Sequence, residues 1–199
     1  MAMTTSAQEY REVLLEVLPD QGELDEKEYL WLTDRTTRLL EFTDGYVEVL
    51  PMPTSAHQGI VLLFIRLLLP YLDARGGILR FAPMRLRLRA GKFREPDLML
   101  LLDASDQRNE DRHWLGADLV LEVVSPDNPA RDLVEKRRDY AIAGIPEYWI
   151  VNPLNRTITV LELRDGQYAE HGVFAERSQA TSVVLAGFSI SVDEVFAAA

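Results

Sequence analysis

The run Leu119-Val120-Leu121-Glu122-Val123-Val124 constrains this chain more than any other segment. A short apolar run without polar alternation describes a central strand covered on both faces. A carboxylate inside it costs several kcal/mol as an unpaired charge, or is driven to take up a proton. Something must compensate Glu122. An arginine partner or a strand end emerging into solvent would do so as well as a functional site would, and Glu122 alone does not choose among them.

A second apolar run narrows the choice. Glu95-Pro96-Asp97 leads directly into Leu98-Met99-Leu100-Leu101-Leu102, so Asp97 begins its strand whereas Glu122 lies near the end of its own. The polar connection from Asp103 to Gly116 is long for a hairpin. Sequential strands often pair antiparallel, which sets the start of one beside the end of the other. Asp97 and Glu122 are therefore expected to converge. Two carboxylates held together repel unless a cation lies between them. Oxygen-only ligands favour a hard ion, Mg²⁺ first and Mn²⁺ as the alternative. The chain has no cysteine, which removes thiolate zinc sites, iron–sulfur clusters and disulfides.

The next helix supplies a third candidate. Pro129 suits the first turn of a helix reaching about Ala143, and Gly144 with Pro146 ends it. Lys136 flanks a stripe made by Leu133 and Tyr140 and leans toward the sheet. An ammonium there can orient or deprotonate a water, or offset charge developing on a phosphate. The plain alternative is a surface lysine paired with Asp132 at i, i+4.

The remaining pattern is α/β. A helix is expected over Leu24 to Leu32 and a β-hairpin over Arg38 to Leu50 about Asp44-Gly45. Ser55 is expected to cap a helix from Ala56 to Asp73. Strands follow at Ile78 to Phe81, Met84 to Arg89 and Glu147 to Asn152. A second hairpin, Thr157 to Arg164 with Gln167 to Phe174, turns at Asp165-Gly166, and Val192 to Phe196 forms a terminal helical turn. The fold class is a mixed β-sheet flanked by helices, with N-terminal and C-terminal hairpins. Residues 1–22 are expected as a loosely ordered arm and 23–199 as one domain, since 199 residues with 47% hydrophobic content suit a single core.

Ile60 to Leu72, interrupted by Arg66, reads as a core helix, and no membrane partner is expected. The first eleven residues lack the basic start and apolar core of a secretory signal, so a cytoplasmic location is expected. A net charge of −11 opposes indiscriminate attraction to polyanions. Within this acidic chain, Arg80 to Arg94 carries six cations and no acid. Arg85, Arg87 and Arg89 alternate there with Leu86 and Leu88, giving a strand with a cationic face that either meets a phosphate backbone or balances local acids.

Several of these segments carry a family resemblance. Arg94-Glu95-Pro96-Asp97, Leu121-Glu122-Val123-Val124-Ser125-Pro126, Glu135-Lys136 and Gly144-Ile145-Pro146-Glu147-Tyr148-Trp149-Ile150-Val151-Asn152-Pro153 resemble the bacterial family described as putative restriction endonucleases. That family was long filed as a domain of unknown function and is placed in the PD-(D/E)XK nuclease superfamily. The likeness runs from Leu40 through His57-Gln58 to Gly187-Phe188. It implies a restriction-endonuclease-like fold, Asp97 and Glu122 as metal-binding acids, and Glu41 and His57 as polar positions near the site. Two residues after Glu122 the superfamily usually carries lysine, but this chain has Val124, and the resemblance implies that Lys136 replaces it.

The implied activity is metal-dependent hydrolysis of phosphodiesters, in DNA first, with RNA or branched DNA as other substrates and a homodimer as the assembly. The alternative from another class is a noncatalytic module that keeps the nuclease fold for nucleic-acid or protein assembly. Glu41 reads equally as a further ligand or as a strand acid paired with arginine. His57 reads as a phosphate or metal contact or as a local hydrogen-bonding residue.

Overall fold

The computed structural model describes residues 20–199. The arm expected over residues 1–22 therefore lies outside the described residues up to 19. Residues 20–22 form a turn bound to the first hairpin, where Gly22 N donates to Gly45 O at 2.9 Å and Gln21 bonds both Val47 N and Val47 O. Helix α1 (Glu26–Thr33) follows, with Asp25 and Glu28 in a reciprocal capping box. Strands β1 (Leu40–Thr43) and β2 (Tyr46–Val49) reverse at Asp44-Gly45, whose φ values of 47° and 92° match the twist of flanking strands. A Cβ at Gly45 would stand 2.4 Å from the Gly22 carbonyl oxygen, so the entering chain can close on this turn only over glycine.

Helix α2 (Ser55–Asp73) is capped by Thr54, one residue before the expected Ser55. Thr54 Oγ1 accepts the His57 N–H at 3.2 Å, which fixes the start of the helix beneath the His57 side chain. This is the one helix among the described residues long and apolar enough, by length and composition, to cross a membrane. Here its Ile60, Val61, Phe64, Leu68 and Leu72 face enters the main core, as the core-helix reading expects, and Arg66 points outward.

Strands β3 (Ile78–Phe81), β4 (Leu86–Arg89), β5 (Lys92–Arg94), β6 (Leu98–Leu101) and β7 (Leu119–Val123) come next. A π-helical turn over Arg131–Glu135 runs into α3 (Lys136–Ile142). Strands β8 (Glu147–Asn152), β9 (Thr157–Arg164), β10 (Gln167–Phe174), β11 (Gln179–Thr181) and β12 (Ser189–Ser191) precede the terminal α4 (Val192–Ala197).

The main sheet has the order β10-β9-β8-β7-β6-β3, parallel only between β7 and β8, so the expected mixed sheet is present. Strands β6, β7 and β8 are buried along their whole length. Alternation sends Leu98, Leu121, Val123 and Trp149 toward α2, where Phe64 meets the Trp149 ring edge-on at 5.9 Å. Met99, Val120, Val124 and Ile150 face Tyr140 of α3 on the other side. Glu122 shares the parity of Val120 and Val124, so it lies on the α3 face.

Two local expectations change. The arginine strand does not join the main sheet: β4 folds back on β5 about Ala90-Gly91, and β5 pairs with β1, giving a second sheet of order β2-β1-β5-β4. It is β3 that pairs with β6. The stripe of the third helix also differs from the expected pair of Leu133 and Tyr140. Leu133 and Val134 are exposed, whereas Asp132, Lys136 and Tyr140 are buried at steps of four. The turn is π-helical, with Lys136 N bonded to Arg131 O, and Asp132 and Lys136 face inward together.

Candidate active site

The β6–β7 register, with Leu98 opposite Leu121, carries Asp97 into line with Glu122. Asp97 ends the ladder by accepting the Val123 N–H on Oδ2 at 2.7 Å. Both acids line one cavity of about 310 Å³ at this edge of the sheet. Its walls are the β2–α2 connection (Pro51, Met52, Pro53), the start of α2 at His57, the residues after β7 and the turn after β8.

Each carboxylate is held through one oxygen. Asp97 Oδ2 also contacts His57 Nε2 at 3.0 Å. Glu122 Oε1 accepts from Tyr140 Oη at 2.5 Å and lies 2.9 Å from Lys136 Nζ. Among the described residues, Asp97 Oδ1 and Glu122 Oε2 take no hydrogen bond. The remaining oxygens are thus the ones left for a cation or substrate.

Lys136 is 4% exposed and sits within a ring of acids, with Nζ 2.9 Å from Glu122, 3.1 Å from Asp132 and 3.6 Å from Glu41. Burial alone would depress its pKa, but Glu122, Glu41 and Asp132 outweigh burial and raise it. The direction favours the ammonium form, a positive charge set among the acids. The pairing with Asp132 read from the i, i+4 spacing is present, although buried instead of at the surface.

Glu41 joins from β1 in the second sheet. Arg94 Nη1 donates to its Oε2 at 2.5 Å, which is the arginine-paired strand acid, and its other oxygen faces Lys136. Arg94 also binds Asp139, which in turn pairs with Lys92. Glu95 lines the cavity and accepts the Leu40 N–H at 3.1 Å. Burial pushes the Glu95 carboxyl up to about 8, against the pull of the Leu40 N–H. Burial likewise pushes Glu122 up to about 8, opposed by Lys136 and reinforced by Asp97.

Among the described residues, Glu41, Glu122, Asp132 and Asp139 make their ion pairs with Lys92, Arg94 and Lys136, while Glu95 feels Arg85 and Lys136 at longer range and Asp97 meets His57. The cluster is short of positive charge. Among the described residues no three His, Asp or Glu side chains form a ready-made metal cage, because the ammonium of Lys136 already occupies the centre of one acid group. The donor set nevertheless fits a hard ion held by two carboxylates and completed by water and a phosphate, the usual manner for Mg²⁺.

Arg85, Arg87 and Arg89 stand elsewhere. None lines the cavity, and they pair respectively with Asp34, Glu26 and Asp44. Glu95, Asp132 and Tyr140 join the site although the sequence named them only as neighbours of Asp97 and Lys136 and gave them no role. Asp132 and Tyr140 lie four residues to either side of Lys136, a spacing that identifies them once Lys136 is taken as buried. Glu95 carried no comparable signal, because its position depends on the second sheet.

The family Uma2, described as putative restriction endonucleases, matches residues 26–193. A crystal structure from Anabaena variabilis ATCC 29413, described as a putative nuclease belonging to DUF820, superposes with a TM-score of 0.68 at 16% identity. It covers 85% of this chain and 97% of its own, and shares the fold. No curated protein matches. With the family match spanning most of its length, the chain belongs to the Uma2 family of putative restriction endonucleases.

Proposed function

We propose that the protein is a metal-dependent endonuclease that hydrolyses phosphodiester bonds, with DNA as substrate. The observation that carries this reading is the pairing of Asp97 and Glu122 at one cavity edge, each with one oxygen held by protein and one left over. Asp97 and Glu122 would hold Mg²⁺ or Mn²⁺. When bound, the ion supplies Lewis acidity toward the scissile phosphate and lowers the cost of ionising a nearby water.

The chain's own groups have separable tasks. Tyr140 and Lys136 fix Glu122 Oε1 and so aim Oε2 at the cavity. His57 and the Val123 N–H do the same for Asp97. Lys136 holds positive charge beside the reacting phosphate and orients a water without removing its proton. Glu41 keeps Lys136 in place from the second sheet. A phosphate role for Arg85, Arg87 or Arg89 would require each to leave its present acid.

The test is cleavage of labelled DNA in Mg²⁺ or Mn²⁺ by the wild type beside Asp97→Ala and Glu122→Ala. Loss of cleavage in both variants supports the roles, and unchanged cleavage in both overturns them. The noncatalytic module is favoured by one observation, the compensation of Glu122 by Lys136 within the protein. It predicts that titration calorimetry finds no divalent-ion binding that depends on Asp97 and Glu122.

A further inference from the structure

The cavity's rim is built unlike its floor. The buried part of the lining is the carboxylate cluster, whereas Pro51, Met52, Pro53, Pro126, Pro153 and Leu154 line the cavity from the loops after β2, β7 and β8. Met52 is 65% exposed and Leu154 59% exposed. Both ride on stiff backbone. Prolines fix φ on either side of Met52, and the Leu154 N–H donates to Asn152 Oδ1 at 3.0 Å at the end of β8. These side chains are presented at the mouth on braced supports.

Thr54, Gln58 and Ser125 also line the cavity, but it offers a phosphate backbone few cations. Besides His57, the cationic side chains lining the cavity are Lys136, held on the floor by three carboxylates, and Arg131, paired with Glu48. An intact duplex turns phosphates and sugars outward and keeps its base faces stacked. It would cover Met52 and Leu154 with polar surface. An unpaired nucleotide differs because its base face is apolar and free. Apolar side chains, Met, Leu and Pro among them, enter between base steps only by unstacking them, and bases taken from the stack are received among apolar groups.

We infer that the rim made by Met52, Pro153 and Leu154 is a subsite for an unpaired nucleobase beside the scissile phosphate. The preferred substrate class is then single-stranded or locally unpaired nucleic acid. This inference rests on the nuclease reading above and adds to it the state in which the substrate arrives.

The test compares one DNA sequence as single strand, perfect duplex and duplex with an unpaired bulge. Cleavage in Mg²⁺ is measured for each, and binding is measured by fluorescence anisotropy with phosphorothioate forms of the same strands. The single strand and the bulge should bind about tenfold or more tightly than the duplex and be cut at correspondingly lower concentration. The Met52→Ser/Leu154→Ser double variant should lose that preference while unfolding at the same temperature as the wild type. Equal or better use of the perfect duplex, or a preference that survives the double variant, overturns the subsite and leaves the nuclease reading standing. Preferential binding of unpaired strands without cleavage of any supports the subsite and overturns the catalytic reading. Absence of both binding and cleavage overturns both.

Discussion

Glu122 and Glu147 are buried carboxylates on adjacent parallel strands, 2% and 0% exposed, yet they solve the same problem in opposite ways. The β7–β8 register puts Glu147 opposite Leu119 and Glu122 opposite Ile150, so they sit at opposite ends of the pair and on opposite faces of the sheet. Glu147 accepts the N–H groups of Val183 and Val184 at 2.6 and 2.8 Å, the Ser182 hydroxyl at 2.7 Å and the Trp149 indole N–H. Its partners come from backbone and rigid side chains, and it pins the 182–184 segment to the sheet. Glu122 has Tyr140 and Lys136 on one oxygen and a cavity before the other. A carboxylate surrounded by donors is a structural lock. A carboxylate held by half is available for chemistry.

Substitution should separate the two most sharply. Glu147→Ala takes the acceptor from four donors, the buried Trp149 indole N–H and three part-buried groups of Ser182, Val183 and Val184, and should cost about 3 kcal/mol in urea denaturation. Glu122→Gln keeps a partner for Tyr140 and relieves a crowded acid cluster, so stability should stay within about 1 kcal/mol of wild type. Cleavage, by contrast, should fall about a thousandfold, on the scale of losing one preorganised electrostatic group. If Glu147→Ala were tolerated, or Glu122→Gln unfolded the protein, the distinction between lock and site would collapse.

Lys136→Met probes the same cluster from its cationic side. It leaves Glu122, Asp132 and Glu41 without their shared ammonium, and at pH 8 it should destabilise the fold by about 3 kcal/mol. Near pH 5 the cost should shrink, because the acids can take up protons in place of the lost charge. A cost independent of pH would mean that packing of the lysine stem, and not charge, is what the cluster needs.

The sheet's central pair was legible because two apolar runs each carried one acid, and antiparallel pairing fixed where those acids meet. The hairpins were legible from Asp44-Gly45 and Asp165-Gly166, whose positive φ values few other dipeptides accept. The second sheet was not. Strand β5 has only three residues, too few for a period of two to declare itself, and without it Arg85, Arg87 and Arg89 look free. Once β4 and β5 form, those arginines meet Asp34, Glu26 and Asp44. Of the neighbours read for Lys136, Tyr140 and the i, i+4 partner Asp132 do sit beside it, whereas Leu133 turns outward, because the buried stripe is carried by polar residues that an apolar pattern does not reveal.

The raised carboxyls of Glu95 and Glu122 set a pH dependence with a definite sign. Each has a folded pKa of about 8 against an ordinary 4.5, so the stability it contributes is complete below about 4.5 and is lost as pH rises through about 8. In the absence of divalent ions the denaturation midpoint should fall between pH 6 and pH 9. Mg²⁺ competes with the proton on Glu122, so its apparent affinity by calorimetry should rise by up to about tenfold per pH unit below about 8 and then level. A metal affinity flat across this range would remove Glu122 from the ligand set.

Tyr140→Phe should give the smallest effect and the finest discrimination. The hydroxyl donates to Glu122 Oε1 at 2.5 Å, and this bond favours the ionised carboxylate, so it acts against the burial that raises Glu122. Its removal should cost about 1 kcal/mol of stability, the usual scale for one hydrogen bond. It should also move the pH at which Mg²⁺ affinity levels to a higher value, because Glu122 then gives up its proton less readily. Loss of packing alone would lower stability without moving that profile. An unchanged or downward-shifted profile would show that Tyr140 supports the core beside Tyr148 but does not tune the carboxylate it touches.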